Sequence, residues 1–247
     1  MTSCDAESQH IPESSAPDLS SFVENQLNEP ESRYADPKDY QTYIDHWASN
    51  HEINSDYIGE IWFDSNIINL PMVQGETNDT YLRTNWETMD YDVYGSIFMD
   101  YRNTFDDQNL IIYGHFSWPN MDPDRVIMFT PLEKLIDSQN YEENSHFNIL
   151  LENQIRKYQV AYVYYCPIYT DSTGFQYTAE NTQYYLTEYS PDYLKTYTDA
   201  ITDLEFYDTG VELTPADNLV TLQTCVYNRD DLRLIVIAKE IERIEWR

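Results

Sequence analysis

The sequence is poor in basic residues, and it has no long apolar run. Only 14 lysines and arginines stand against 44 aspartates and glutamates in 247 residues, a formal net charge of −30. Nucleic-acid binding needs clusters of Lys and Arg along the phosphates, so we expect no nucleic-acid partner. An anionic membrane surface would repel this charge as well. Because no run of 18 apolar residues occurs, the sequence predicts no membrane-spanning helix.

Cysteine is also scarce. The three cysteines, Cys4, Cys166 and Cys225, are too few and too widely spaced for a disulfide framework. Cys166 ends the apolar run YQVAYVYYC, which favours a small buried thiol. Cys225 ends a second apolar run, NLVTLQTC, and Arg233 opens the next one eight residues later. From these residues alone, Cys225 is either a buried structural thiol or a nucleophile beside a cation.

Composition divides the chain into a tail and one domain. Residues 1–36 are rich in Ser, Glu, Pro and Asp, and we expect them to form a disordered acidic tail. Residues 37–247 form the predicted domain, which begins with an amphipathic helix over 37–51, opened by Pro37. The apolar residues at helical spacing in that segment are Tyr40, Tyr43, Ile44 and Trp47.

Short runs rich in Ile, Val, Tyr and Phe follow, separated by Asn, Asp, Gly and Pro. This pattern of short apolar runs and turn residues predicts an all-β barrel or sandwich. The predicted strands are YIGEIWF, IINLPMV, YGSIFMD, NLIIYGH, RVIMF, HFNILLE, YQVAYVYYC, NLVTLQTC and LRLIVIAKE. Two helical insertions are predicted, one at PLEKLID and one over 190–204, where Ser-Pro precedes an apolar face.

A cysteine nucleophile reacts as the thiolate, and a free thiol has a pKa of about 8.5, so the site should also supply a base and a cation. Acyl transfer further needs donors aimed at the developing oxyanion. Of the five histidines, His115 is best placed, because it directly follows an apolar strand and a glycine. Considered singly, His115, Cys225 and Arg233 each have an ordinary structural explanation.

Together, these residues resemble a known pattern. TLQTC, at 221–225, has the form T-L-x-T-C that is the signature of the sortases, and IIYGH, at 111–115, resembles the segment that carries the sortase histidine. Arg233 stands where that family keeps its arginine. The segments IGEIWFDSNIINLPMVQGETNDTYL and GSIFMDYRN resemble the opening strands of class B sortases. The resemblance covers roughly residues 38–242.

The resemblance implies a mainly β fold, a closed eight-stranded sortase-type β-barrel with an N-terminal helix and a helix in the loop between the sixth and seventh strands. Three features depart from the class pattern. The histidine is followed by FSWPNMD where the class usually has a methionine two residues on, NLPMVQG replaces the usual yPVVQ, and the acidity is extreme.

The resemblance also implies a cysteine transpeptidase without metal or cofactor. Cys225 would attack the Thr carbonyl of a C-terminal sorting motif of the NPxTN or NPxTG type and form a thioester. His115 would protonate the leaving amine and then deprotonate the incoming one. Arg233, with the backbone N–H of Val226, would stabilise the oxyanion.

Substrate recognition is expected near the same strand ends. The candidate substrate-binding residues are Asn78, Tyr81, Leu82, Thr224, Val226 and Tyr193. For each of the side chains an alternative stays open: Asn78 as a turn residue, Tyr81 and Leu82 as core, Thr224 as a strand residue and Tyr193 as helix packing.

The expected partners are a sorting-motif peptide of a surface protein and an amine acceptor, from peptidoglycan or from a pilin lysine. We expect the protein at the extracellular face of the membrane of a Gram-positive bacterium, attached only through an N-terminal anchor that this sequence lacks. The alternatives are a pilin-polymerising enzyme of the same class, an inactive sortase-like module and a hydrolytic cysteine peptidase. A papain-type peptidase is disfavoured because its Cys precedes its His.

Overall fold

A computed structural model describes residues 34–116 and 128–247. Eight strands in this part of the chain form a closed barrel, and a short hairpin and three α-helices are added to it. The strands are β1 Tyr57–Phe63, β2 Asn69–Val73, β3 Ile97–Met99, β4 Asn109–Tyr113, β5 His146–Leu151, β6 Gln154–Pro167, β7 Tyr169–Thr170, β8 Gln176–Tyr177, β9 Leu219–Val226 and β10 Arg229–Glu245. The α-helices are α1 Gln41–Ile53, α2 Tyr141–Asn144 and α3 Pro191–Thr202.

The barrel strands follow the order β1-β2-β3-β4-β9-β10-β6-β5, and β5 pairs with β1 to close the ring. The β2–β3 and β4–β9 pairs are parallel, and the other pairs are antiparallel. Strands β4, β9 and β10 are therefore neighbours, although β4 is separated from β9 by about a hundred residues of chain. The prediction of a closed eight-stranded barrel is confirmed.

Alternating side chains of the barrel strands enter apolar clusters both inside and outside the barrel. The interior holds, among others, Ile61, Phe63, Met99, Leu110, Ile112, Phe147, Ile149, Val160, Leu222, Leu234 and Val236. Full burial of one such side chain contributes roughly 1.5–3 kcal/mol, so the interior is the main source of stability. The outer cluster joins β6, β9 and β10 to α3 through Tyr164, Cys166, Leu194, Tyr197, Ile201, Leu219, Ile235 and Ile237.

Both predicted long helices are confirmed. A 3-10 turn, Pro37–Tyr40, leads into α1, and the Asp36 side chain caps it by accepting a hydrogen bond from the Lys38 N–H at 3.0 Å. At the start of α3, the Ser190 hydroxyl accepts from the Tyr193 N–H at 3.2 Å. Helix α3 lies in the connection between the sixth and seventh barrel strands, β6 and β9, as predicted.

The predicted strand RVIMF is wrong where it can be compared. Residues 125–127 lie outside the described residues, and residues 128–129 form a turn. Met128 has φ +45°, which is incompatible with an extended strand. The predicted PLEKLID helix is a 3-10 helix, Thr130–Ile136. The β7–β8 hairpin was not predicted, because two residues per strand leave no readable pattern.

Most of the predicted acidic tail, residues 1–33, lies outside the described residues, and its disorder stays a prediction. At residues 34–36 the chain joins the domain, where the Ala35 N–H donates to the Glu245 carbonyl at 2.8 Å. Within the described ranges, no helix has the length and apolar character needed to cross a bilayer.

Candidate active site

Cys225 and Arg233 lie opposite each other at one end of the barrel. In the antiparallel pairing, Arg233 of β10 is the partner of Cys225 on β9 and of Cys166 on β6. Directly opposite residues point to the same face, with Cβ atoms about 4.5–5.5 Å apart. The Cys225 side chain is exposed, whereas Cys166 is fully buried. Of the two thiols beside Arg233, Cys225 is the one that a substrate can reach.

The strand that leads to His115, β4, is the neighbour of β9 on the other side. Tyr113 of β4 pairs with Gln223 of β9 in parallel register, and the Gly114 N–H donates to the Gln223 carbonyl at 3.1 Å. His115 follows two residues after Tyr113, and Cys225 follows two residues after Gln223 on β9. The strand order therefore puts the end of β4, which leads to His115, next to the strand end that carries Cys225, with Arg233 on the opposite neighbour.

One hydrogen bond sets the protonation of His115. Its Nε2 lies 2.7 Å from the Leu82 carbonyl oxygen. A carbonyl only accepts, so Nε2 carries the proton and, in the neutral ring, Nδ1 has the free lone pair. Burial lowers the pKa of His115, and the bond to Leu82 partly opposes this effect. At neutral pH the imidazole is therefore mostly neutral, with Nδ1 available as a base.

The Leu82 carbonyl is held by a tight turn in the connection between β2 and β3. Gly95 has φ +55°, and a Cβ there would lie 2.3 Å from the Tyr81 carbonyl oxygen and 2.5 Å from that of Leu82. Only glycine fits this conformation and this close approach. The next residue, Ser96, donates its N–H to the Tyr81 carbonyl at 3.1 Å. The acceptor for His115 is thus fixed by backbone packing.

A buried carboxylate ties the same connection to β4. Asp100 is fully buried and accepts from Arg102 Nε at 2.8 Å, Asn78 Nδ2 at 3.0 Å and the Tyr113 hydroxyl at 2.8 Å. Burial alone would raise the pKa of Asp100, but these hydrogen bonds outweigh it and lower the pKa to about 2. Asp100 therefore stays ionised and anchors β4, the strand that leads to His115.

The first three predicted substrate-binding residues lie in this connection and differ in accessibility. The Asn78 side chain is occupied at both ends, because it donates to Asp100 and its Oδ1 accepts from the Tyr101 N–H at 3.0 Å. Tyr81 is buried, its hydroxyl accepts from Asn54 at 2.8 Å, and burial raises its pKa to about 12. The Leu82 side chain is 37% exposed. Among these three, only the Leu82 side chain is open to a peptide.

The other predicted substrate-binding residues face away from solvent or are already engaged. The Thr224 side chain is fully buried. Val226 is partly buried and packs against the interior cluster. The Tyr193 hydroxyl donates to the Glu180 carbonyl at 2.6 Å, and its ring stacks on Tyr197. A peptide contact by Thr224 would therefore have to use its backbone.

Some residues around the site carried no prediction. Three groups near the site were not identified from the sequence: the Leu82 carbonyl, Asp100 and Gln176. Gln176 accepts a hydrogen bond from Arg233 Nη2 at 2.9 Å, and the Leu82 carbonyl accepts one from His115. Asp100 could have been found from the sequence, because it is a single carboxylate directly after the apolar run GSIFM. Backbone acceptors and an exposed glutamine give no such signal.

Comparisons with known proteins agree on one family. No family model matches the chain. The chain is 30% identical over 200 residues to Sortase B of Staphylococcus aureus, covering 79% of this chain and 75% of that protein. It is 31% identical over 181 residues to Sortase B of Listeria monocytogenes, covering 72% and 66%.

Solved structures show the same fold. A Staphylococcus aureus sortase B–substrate complex has a TM-score of 0.66 at 24% identity and covers 83% of this chain and 94% of that one. A crystal structure of a sortase B complexed with triglycine has a TM-score of 0.67 at 25% identity and covers 83% and 95%. With the barrel and the thiol-bearing strand end already described, these likenesses leave one conclusion: the chain belongs to the sortase B family of cysteine transpeptidases.

Proposed function

We propose that Cys225, His115 and Arg233 form the catalytic centre of this transpeptidase. The observation that carries the proposal is the strand register. It places Cys225 on β9 directly opposite Arg233 on β10, and it places β4, which ends two residues before His115, on the other side of β9. The exposed thiol thus lies between the strand that leads to the base and the strand that carries the cation. No other thiol in the described part of the chain is exposed.

The reaction follows in two acyl transfers. The Cys225 sulfur attacks the Thr carbonyl of the peptide and forms an S–C bond. Collapse of the tetrahedral intermediate then breaks the C–N bond to the next residue and leaves a thioester. His115 takes up the thiol proton and delivers it to the leaving amine. An acceptor amine then attacks the thioester and forms a new C–N bond, and His115 takes its proton. The S–C bond breaks, His115 returns the proton to the Cys225 sulfur, and the product leaves with a new amide bond.

Arg233 stabilises the charge that develops on the carbonyl oxygen in both steps. It lies beside Cys225 on the neighbouring strand, where a guanidinium donor can reach a carbonyl bound at the sulfur. Removing one such donor in other enzymes lowers kcat by about 10²–10³. The backbone N–H of Val226 is the proposed second donor.

The proposed substrate is a surface protein with a C-terminal sorting motif of the NPxTN or NPxTG type, cleaved after Thr and transferred to a cell-wall amine. A related sortase B is solved with a substrate and another with triglycine, which supports a peptide donor and an amine acceptor. The net charge of −30 favours a cationic amine. We place the protein at the outer face of a Gram-positive cell membrane.

The test is a product analysis with peptides of both motif types, each with and without triglycine or a lysine peptide as the acceptor. We expect cleavage after Thr and a ligated product that requires the amine and disappears in Cys225→Ala. The matched control is Cys166→Ala, which removes the buried neighbouring thiol and should retain product formation. Hydrolysis with no ligation to any amine, or ligation by Cys225→Ala, would contradict the proposal.

A further inference from the structure

The β7–β8 hairpin lies beside Arg233, on the side away from Cys225. Strand β6, which pairs with β10 opposite Arg233, leads directly into the hairpin, and the Ile168 N–H donates to the Asp231 carbonyl at 2.7 Å. On β8, the Gln176 Oε1 accepts a hydrogen bond from Arg233 Nη2 at 2.9 Å. The hairpin thus reaches the guanidinium through one side chain.

All of the acceptors that hold this guanidinium are neutral. Arg233 Nη1 donates to the carbonyls of Asp230 and Leu232 at 2.9 and 2.8 Å, and the third acceptor is the Gln176 amide. In the described ranges, no carboxylate forms an ion pair with Arg233. The chain carries 44 acidic residues, and three other arginines pair with carboxylates: Arg102, Arg229 and Arg243. Among the residues that the structure describes, no carboxylate in direct contact therefore compensates the charge of Arg233.

The hairpin is built to hold Gln176 at a fixed place. The Asp171 carboxylate accepts from the N–H groups of Thr173 and Phe175 at 2.8 and 3.1 Å, which closes the turn. Gly174 has φ +87°, a conformation suited to glycine, and a Cβ there would meet nothing within 4 Å. The turn is thus defined by local hydrogen bonds, and it returns the chain to Gln176 on β8.

We propose that Gln176 is a positioning residue for catalysis: it fixes the direction of the Arg233 guanidinium with a neutral acceptor, so that the full positive charge remains for the oxyanion. The proposal rests on the function proposed above for Arg233. A carboxylate in place of the amide would hold the guanidinium equally well but would neutralise it. Arg233 therefore needs an acceptor that is uncharged as well as correctly placed.

The test compares Gln176→Glu with Gln139→Glu, which adds the same charge on an exposed turn between β4 and β5. Because Gln176 is exposed and Glu has nearly the same shape, folding should be unaffected. We expect Gln176→Glu to lower kcat about tenfold with KM changed less than twofold, a part of the 10²–10³ loss that follows full removal of an oxyanion donor. Gln176→Ala keeps the charge of Arg233 and should lower kcat about threefold. Gln139→Glu should match the wild type.

Each Gln176 variant is also made in an Arg233→Ala background, where residual acylation is measured. We expect no further loss there, because a positioning residue acts only through its partner. The proposal is overturned if Gln176→Glu matches Gln139→Glu, or if it lowers kcat as much without Arg233 as with it. If Arg233→Ala itself keeps the wild-type kcat, the role proposed for Arg233 fails as well, so the two failures are distinguishable.

Discussion

Replacement of Asp100 by asparagine should destabilise the protein by about 2 kcal/mol at pH 7. Burial opposes ionisation of Asp100, but the hydrogen bonds it accepts outweigh burial and lower its pKa from 3.8 to about 2. Each pKa unit is worth about 1.4 kcal/mol, so the ionised carboxylate stabilises the folded state by about 2 kcal/mol. Hydrogen bonds to a charged group are independently worth roughly 1.5–3 kcal/mol, which agrees.

The stability that Asp100 contributes should decrease as the pH falls. A carboxylate whose pKa is lowered by folding contributes its full stabilisation above its unfolded pKa and loses it as pH falls toward the folded pKa. The difference between wild type and Asp100→Asn should therefore be complete at pH 7 and fall to about half by pH 3. Urea unfolding followed by tryptophan fluorescence at both pH values measures it.

The control for this experiment is Asp79→Asn, which removes an exposed carboxylate from the same connection. Its effect should stay within about 0.5 kcal/mol at every pH, as for most surface substitutions. A loss below about 0.5 kcal/mol for Asp100→Asn at pH 7, or a difference that does not shrink in acid, would refute the role of Asp100 as the anchor of β4.

Three other predictions concern the turn at Gly95, the two thiols and the contact between α3 and β6. Gly95→Ala should displace the Leu82 carbonyl, and we expect kcat to fall in a steady-state assay. Urea unfolding should show a loss of stability of about 1–3 kcal/mol. An unchanged kcat would show that this turn has no role in catalysis. Iodoacetamide applied to the native protein at pH 8 should modify Cys225 and spare Cys166, because burial raises the pKa of Cys166 to about 11. Peptide mass mapping then identifies the labelled thiol, and equal labelling of both would contradict the burial of Cys166. The buried hydroxyls of Tyr197 on α3 and Tyr164 on β6 form a hydrogen bond at 2.9 Å. Tyr197→Phe removes it and should lower the free energy of unfolding in urea by about 1–2 kcal/mol, and no loss would refute that contact.

The sequence was sufficient for the barrel and for its two long helices. The apolar runs of β1 and β9 match strands that are largely buried, and the run of β10 matches the buried centre of that strand. The Ser-Pro start of α3 matches its observed cap. Which strands become neighbours could not be read from these runs, because β4 and β9 pair across a long connection. The resemblance to the sortases predicted the closed eight-stranded barrel, and the structure shows which strands pair within it.

The sequence was not sufficient for the details that tune the site. Tyr81 was a candidate substrate contact, but its ring is buried and its hydroxyl bonds to Asn54, since the β2–β3 connection folds back over it. The partners of His115 and Arg233 are a backbone carbonyl and an exposed glutamine. Such contacts depend on long-range packing of irregular segments, which leaves no periodic trace in the residues.

The most direct test of the catalytic assignment is intact mass spectrometry of the protein mixed with an NPxTN or NPxTG peptide in the absence of an amine acceptor. We expect an adduct with the mass of the peptide up to Thr, attached to Cys225 and released by hydroxylamine as a thioester should be. The adduct should be missing in Cys225→Ala and present in Cys166→Ala. An adduct on another residue, or amine-dependent ligation with no adduct at all, would contradict a thioester mechanism at Cys225.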